Sequence, residues 1–163
     1  MISGVQSLSD LFSIFHDGEI ADYASADGTL ELQIRIGYLA QIVSPASHGF
    51  RIVLHGVRDI EFTTWPKDAA AAPVTLRALS DIFKPSLDIL SGKVIDGRLV
   101  VICNQPSAQC THCGGELRLL ASSALVTDEA GINYTIDQLR ELSRTYWDDW
   151  TRRSKAPAVA SDD

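Results

Sequence analysis

The segment TLELQIRI, residues 29–36, alternates apolar and polar side chains without a break, and it decides the fold class. The apolar set shares one face, and it consists of Leu30, Leu32, Ile34 and Ile36. A period of two is typical of a β-strand with one buried face and one face in water. Because the turn signal Asp27-Gly28 comes just before this segment, residues 19–25 and 29–36 are predicted to form an antiparallel hairpin.

Further strands are predicted along the chain from the same kind of pattern. They cover residues 50–55, 57–65, 87–95, 98–104 and 115–127. The spacing of Val57, Ile60 and Phe62 breaks strict alternation, which predicts a bulge near Arg58-Asp59. The run from Leu99 to Cys103 is apolar on both faces, so its strand is expected to be central and covered on both sides.

The strongest helix signal lies near the end of the chain. Thr135 and Gln138 form a capping box. Apolar side chains then recur at helical spacing, namely Ile136, Leu139, Leu142, Tyr146 and Trp150. Shorter helices are predicted at 9–16 and 75–83, and 38–43 is either a helical turn or an edge segment.

These elements predict one α+β domain over residues 1–153, followed by a flexible tail over 154–163. The domain is expected to contain an antiparallel sheet of six or seven strands. The C-terminal helix and one or two short helices are expected to pack on one face of that sheet.

Composition and charge limit the classes of function. The 163 residues include 14 Lys and Arg against 21 Asp and Glu, a net charge of −7, which argues against nonspecific nucleic-acid binding. This balance is typical of an ordinary acidic cytosolic protein, and the alternative is a domain that docks onto a basic protein partner. Apolar runs stay far below the roughly 20 residues needed to cross a bilayer, so no membrane span is expected. Without an export signal, the chain is expected to be cytoplasmic.

The three cysteines carry the sharpest chemical motif. Cys110 and Cys113 belong to the sequence CTHCGG, and Cys103 stands seven residues earlier. A CxxC followed by glycine is typical of a zinc knuckle, so one structural zinc ion held by Cys103, Cys110, Cys113 and a histidine is one hypothesis. His112 is the first candidate for the fourth ligand, with His48 and His55 as alternatives. In the other hypothesis the protein binds no cofactor, and Cys103 packs as a small apolar side chain in the core.

The remaining candidates are two histidines and a tryptophan. His16 precedes Asp17, but adjacent side chains are not expected to face one another, so His16 and Gly18 are interpreted as a helix C-cap. His55 falls on the polar face of its strand and Trp147 lies at the edge of the apolar helix stripe, so both are expected to face a partner. Phosphate-binding and hydrolase motifs are absent from the sequence, and we expect a protein that is not an enzyme.

The N-terminal half also resembles a known group of proteins. The resemblance covers residues 8–65 and is carried by FHDG at 15–18, the strand at 29–36, FRIVLH at 50–55 and IEF at 60–62. These segments resemble the sequences of small bacterial proteins of uncharacterised families, some of which are grouped with the immunity proteins of polymorphic toxin systems. The resemblance implies a non-enzymatic α+β domain that binds and neutralises a toxin, and it does not include the cysteine cluster.

The sequence therefore supports one leading function and two alternatives. The leading function is a non-catalytic protein-binding module, of the type of an immunity inhibitor of a basic toxin. The first alternative is a zinc-stabilised structural or regulatory domain built around Cys103, Cys110 and Cys113. The second is an enzyme that uses His16 or His55.

Overall fold

Eleven strands and four helices make up residues 1–155, the part of the chain that this computed structural model describes. The strands are β1 (Ile2–Ser3), β2 (Glu19–Ala26), β3 (Thr29–Arg35), β4 (Gly49–His55), β5 (Arg58–Pro66), β6 (Thr75–Leu76), β7 (Leu87–Ile95), β8 (Arg98–Asn104), β9 (His112–Leu120), β10 (Ser123–Asp128) and β11 (Asn133–Tyr134). The helices are α1 (Val5–Ile14), α2 (Gly37–Val43), α3 (Leu79–Ile82) and α4 (Ile136–Lys155). The predicted tail at 154–163 therefore begins inside α4, and its residues 156–163 lie outside the described part.

All strands belong to one antiparallel sheet with two arms. One arm has the order β1-β10-β4-β3-β2, with β11 beside β10, and the other has the order β7-β8-β9-β5-β6. The arms join through only two residue pairs, Glu19 with Asp88 and Ile20 with Leu87. Apolar side chains from both arms pack into one core, which confirms an α+β fold with an antiparallel sheet and a C-terminal helix.

The predicted count of six or seven strands is wrong, because the described residues form eleven. The segment 115–127, predicted as one strand, divides into β9 and β10 around Ala121-Ser122, where Ser122 donates from its backbone N–H to the His55 carbonyl at 2.8 Å. The other extra strands, β1, β6 and β11, have two residues each. Two residues are too short to show a period, so alternation cannot reveal them.

The hairpin that decided the fold class forms as expected. Asp27 and Gly28 both have positive φ, 48° and 72°, as a type I′ turn requires. The predicted bulge is also present, since the β5–β9 register shifts between Arg58 and Glu61. Strand β8 is central, paired with β7 and β9, and Val100 and Ile102 are buried on its second face.

Helix α1 lies against β7 and β8, and α4 lies against α1 and α2. Gly92 of β7 lets the backbone of α1 come close, because a Cβ there would lie 2.1 Å from the Ser9 carbonyl oxygen. Ser13 strengthens this contact, since its Oγ donates to the Gly92 carbonyl at 3.2 Å and accepts from the Gly92 N–H at 3.0 Å. The helix predicted at 75–83 is shorter than expected, because β6 and α3 share that segment.

The capping box of α4 forms in both directions. Thr135 donates from its backbone N–H to Gln138 Oε1 at 2.8 Å, and Gln138 donates from its backbone N–H to Thr135 Oγ1 at 3.2 Å. Within residues 1–155, no helix is both long and apolar enough to span a bilayer.

Candidate partner-binding surface

Four aromatic side chains from α2 and α4 form a connected surface, which we call the aromatic surface: Tyr38, Tyr146, Trp147 and Trp150. The ring centroids are 4.4 Å apart for Tyr38 and Tyr146, 5.1 Å for Tyr146 and Trp147, and 6.0 Å for Trp147 and Trp150. Trp147 remains 41% exposed and Trp150 53% exposed. Clustered, exposed tryptophans are typical of the centre of a protein interface.

The position of α4 explains why these rings are exposed. Along the apolar stripe, Leu139 is fully buried, Leu142 and Tyr146 are half-buried, and Trp150 is exposed. Only the first part of the stripe is covered, so its side chains become more exposed as α4 continues. Trp147, which was expected to face a partner, is exposed, and its contact with a partner stays a prediction. Trp150 fits the apolar stripe and was therefore expected in the core, but this is wrong. The stripe continues along α4 beyond the part that the rest of the domain covers.

Tyr38 fixes the base of the aromatic surface. Its hydroxyl donates to the His16 carbonyl at 2.7 Å. Burial, with the Asp17 carboxylate nearby, raises the pKa of Tyr38 to about 12, so the phenol stays neutral at physiological pH. A neutral, hydrogen-bonded ring gives Tyr146 and Trp147 a rigid neighbour.

Three carboxylates lie near one another, and we call them the acidic cluster: Asp17, Glu19 and Asp88. Of the three, Asp17 is the one near Tyr38. Glu19 and Asp88 are cross-strand partners in β2 and β7. Burial raises the pKa of Asp88, and the charges of Glu19 and Asp17 raise it further. Glu19 pairs with Arg35 at 2.6 Å, and Asp17 lies 3.3 Å from His16 Nε2. Asp88 forms no ion pair within residues 1–155.

The contact between His16 and Asp17 corrects the sequence interpretation. Their side chains do face one another, because Asp17 takes a positive φ of 64° and turns its carboxylate back toward the ring. His16 lies beyond the end of α1 rather than in its last turn, and its Nδ1 lies 2.6 Å from the Leu90 carbonyl oxygen. Gly18 does not supply the left-handed residue. A Cβ at this position would lie 2.9 Å from the Phe15 carbonyl oxygen, so close packing requires glycine.

The second predicted contact residue, His55, lies elsewhere on the sheet. It is the last residue of β4, half-buried between Thr29 of β3 and Ser123 of β10. Its carbonyl accepts from both the backbone N–H and the Oγ of Ser122, at 2.8 and 3.0 Å. His55 therefore helps to hold the turn between β9 and β10.

The structure does not bring the predicted zinc ligands together. Cys103 is fully buried in the core, where burial raises the pKa of its thiol to about 12. Cys113 is exposed and its Sγ donates to the Trp65 carbonyl at 3.5 Å, whereas the His112 ring lies beside Phe62. Burial and the Lys67 ammonium lower the pKa of His112.

The part of the chain described here holds no group of three or more His, Cys, Asp or Glu side chains placed to bind a metal. The proposed set of Cys103, Cys110, Cys113 and His112 fails because alternation along β8 turns Cys103 into the core with Leu99 and Val101.

Two clefts have arginine side chains among their lining residues. The first, about 460 Å³, surrounds Gly49, and its arginines Arg35 and Arg51 each pair at 2.6 Å with a glutamate. The second, about 510 Å³, contains three arginines that pair with carboxylates in the same way: Arg77, Arg98 and Arg118. These charges have partners within the fold, and the aromatic surface is therefore the stronger candidate.

Tyr38 and the acidic cluster could not be found by sequence reasoning, because residues 17, 19, 38 and 88 meet only through the fold. Comparison of the chain with protein-family models, with curated proteins and with solved structures gave no match.

Proposed function

We propose that this protein is a non-catalytic protein-binding module that contacts a basic protein through the aromatic surface. The observation that carries the proposal is the exposure of Trp147 and Trp150 in one connected cluster with Tyr38 and Tyr146. Tryptophan and tyrosine are the residues most enriched among those that dominate binding energy. Ile42 of α2, 37% exposed, adds to the apolar area.

The size of the surface suits the centre of an interface. With roughly 250 Å² for a whole tryptophan side chain, Trp147 and Trp150 together expose about 230 Å². A stable interface buries about 800 Å² on each partner, so these rings would supply its apolar core and polar residues its rim. An area of this size is too small to drive a stable complex alone, which supports a contribution from charge.

Charge supports a basic partner. The net charge of −7 and the acidic cluster, whose Asp17 lies near Tyr38, would steer a cationic protein toward this side of the molecule. With the resemblance of residues 8–65, we propose an inhibitor of the immunity type, which binds a basic toxin. The three cysteines are free thiols, which supports a reducing compartment such as the cytoplasm.

The test compares three forms of the protein as bait in a lysate of its native host. They are the wild type, the double variant Trp147→Ala/Trp150→Ala, and the matched control Trp65→Ala, which alters a tryptophan 37% exposed on β5. A basic protein captured by the wild type and the control is then purified and titrated against all three. The double variant should bind at least about 30-fold more weakly, as expected for loss of a hot spot.

Equal affinity of the double variant and the wild type would exclude the aromatic surface as the binding site. Circular dichroism of each variant confirms that the fold is retained. For the finer proposal, co-expression with the purified partner's gene should protect cells from growth arrest, and the double variant should not. A partner whose expression has no effect on growth would exclude the toxin-inhibitor role.

A further inference from the structure

We propose that the partner presents arginine, rather than lysine, to the aromatic surface, and that the acidic cluster holds the same cationic segment. This inference rests on the proposed function and names the chemistry of the partner. Its basis is that Tyr38 contacts the ring of Trp147 and lies near Asp17 of the acidic cluster, and that rings and carboxylates favour different properties of a ligand.

The connection between rings and carboxylates runs through Tyr38. Its ring centroid lies 6.1 Å from that of Trp147, and its hydroxyl donates to the His16 carbonyl, the residue next to Asp17. Asp17 is close enough to influence the charge state of both Tyr38 and Asp88. A segment of a few residues in extended form, at about 3.3 Å per residue, can therefore contact the rings and the carboxylates together.

Asp88 is the carboxylate of the acidic cluster that we expect to bind a further cation. Arg35 neutralises Glu19 and His16 lies next to Asp17, but Asp88 forms no ion pair with any residue in the described range. Asp88 is half-buried and lies near two other carboxylates, so its charged form is disfavoured. A guanidinium bound here would relieve this repulsion and form paired hydrogen bonds with a carboxylate.

The rings distinguish arginine from lysine. The planar guanidinium stacks on indole and phenol faces and is weakly hydrated, whereas the ammonium of lysine is a strongly hydrated point charge. A carboxylate also favours arginine, because a guanidinium can form paired hydrogen bonds with it. The part of the arginine preference that depends on Trp147 and Trp150 therefore reports contact with the aromatic surface.

The experiment measures binding of fluorescently labelled oligo-arginine and oligo-lysine peptides of equal length, by anisotropy at physiological ionic strength. The wild type should bind oligo-arginine about fivefold more tightly than oligo-lysine. Trp147→Ala/Trp150→Ala should clearly reduce this preference while some binding of both peptides remains. Asp88→Asn should weaken both peptides, and Trp65→Ala should leave both affinities unchanged.

Each contrary result has a definite meaning. Equal affinity for the two peptides, with both weakened by the double variant, would overturn the arginine inference and leave the proposed function standing. A preference of unchanged size in the double variant would show that the rings do not cause it and would overturn the inference. Absence of binding by either peptide would also overturn it, while the proposed function is decided separately by the captured partner.

A second copy of this chain is the competing occupant, because α4 itself carries Arg144, Arg152 and Arg153. Analytical ultracentrifugation of the protein alone tests this. A wild-type dimer that becomes monomeric in the double variant would show that the surface is covered by another copy and would overturn the inference. A monomer in both cases leaves the surface free for the cationic partner.

Discussion

Replacement of Cys103 by serine should destabilise the protein, and replacement of Cys110 or Cys113 should not. Cys103 is fully buried among the apolar side chains of the core, whereas Cys110 is half-buried and Cys113 is exposed. The thiol of Cys103 has only a weak contact, with the Val101 carbonyl oxygen 3.7 Å away. The three variants therefore separate a core cysteine from two cysteines of a surface hairpin.

The magnitude follows from the cost of a buried hydroxyl. Mutational data give about 1–3 kcal/mol for burying a polar group without full compensation, so we expect about 2 kcal/mol for Cys103→Ser. For a chain of this size, that loss lowers Tm by about 4–8 °C. Cys110→Ser and Cys113→Ser should stay within about 0.5 kcal/mol of the wild type, as surface substitutions do.

The assay combines thermal unfolding, with and without a metal chelator, with titration of thiols by an aromatic disulfide reagent. In the folded wild type Cys113 should react first and Cys103 only after unfolding, because burial raises its pKa to about 12 and excludes the reagent. The chelator should leave Tm unchanged. If the chelator or Cys110→Ser lowers Tm as much as Cys103→Ser does, the cysteines act together in a metal site and the core assignment of Cys103 is refuted.

Two further predictions concern packing and pH. Gly92→Ala should lower the free energy of unfolding in urea by about 2 kcal/mol or more, because its Cβ would lie 2.1 Å from the Ser9 carbonyl oxygen. The control Gly37→Ala should be neutral or stabilising, because its Cβ meets only the Gln41 side chain, at 3.8 Å. Equal losses in the two variants would contradict the close approach of α1 to β7. Asp88→Asn should raise Tm at neutral pH, since a carboxyl group whose folded pKa is raised destabilises the fold above that pKa, and the gain should vanish near pH 3, below the ordinary aspartate value of about 3.9. If the gain in Tm persists near pH 3, the raised pKa of Asp88 is not its cause. The same holds if the control Asp148→Asn raises Tm equally.

The sequence predicted the hairpins well because their signals are local. Asp27-Gly28 and the alternation from residue 29 onward need no distant partner to be recognised, and the bulge near Asp59 follows from spacing alone. The break between β9 and β10 could not be predicted, because it falls at Ala121 and Ser122 and neither residue is a glycine or a proline. That turn is held from outside, by hydrogen bonds to the His55 carbonyl.

The predicted zinc ligands are not grouped for metal binding in the described residues, for a related reason. Sequence spacing brought Cys103 within seven residues of Cys110, but the direction of a side chain on a strand depends on its parity. Leu99, Val101 and Cys103 share one parity and enter the core together. Because β8 is apolar on both faces, the sequence contains no polar alternation from which that direction could be inferred.

The exposure of the candidate surface depends on how far the rest of the domain extends along α4. A helical pattern in the sequence does not contain that information. The stripe of α4 changes from leucine at 139 and 142 to tyrosine and tryptophan at 146 and 150, and exposure rises along the same stripe. Tyrosine and tryptophan suit a position that is partly wet, because each combines a large apolar ring with a polar group. Such a change in residue type along a constant period indicates where a helix leaves its own core and exposes its face.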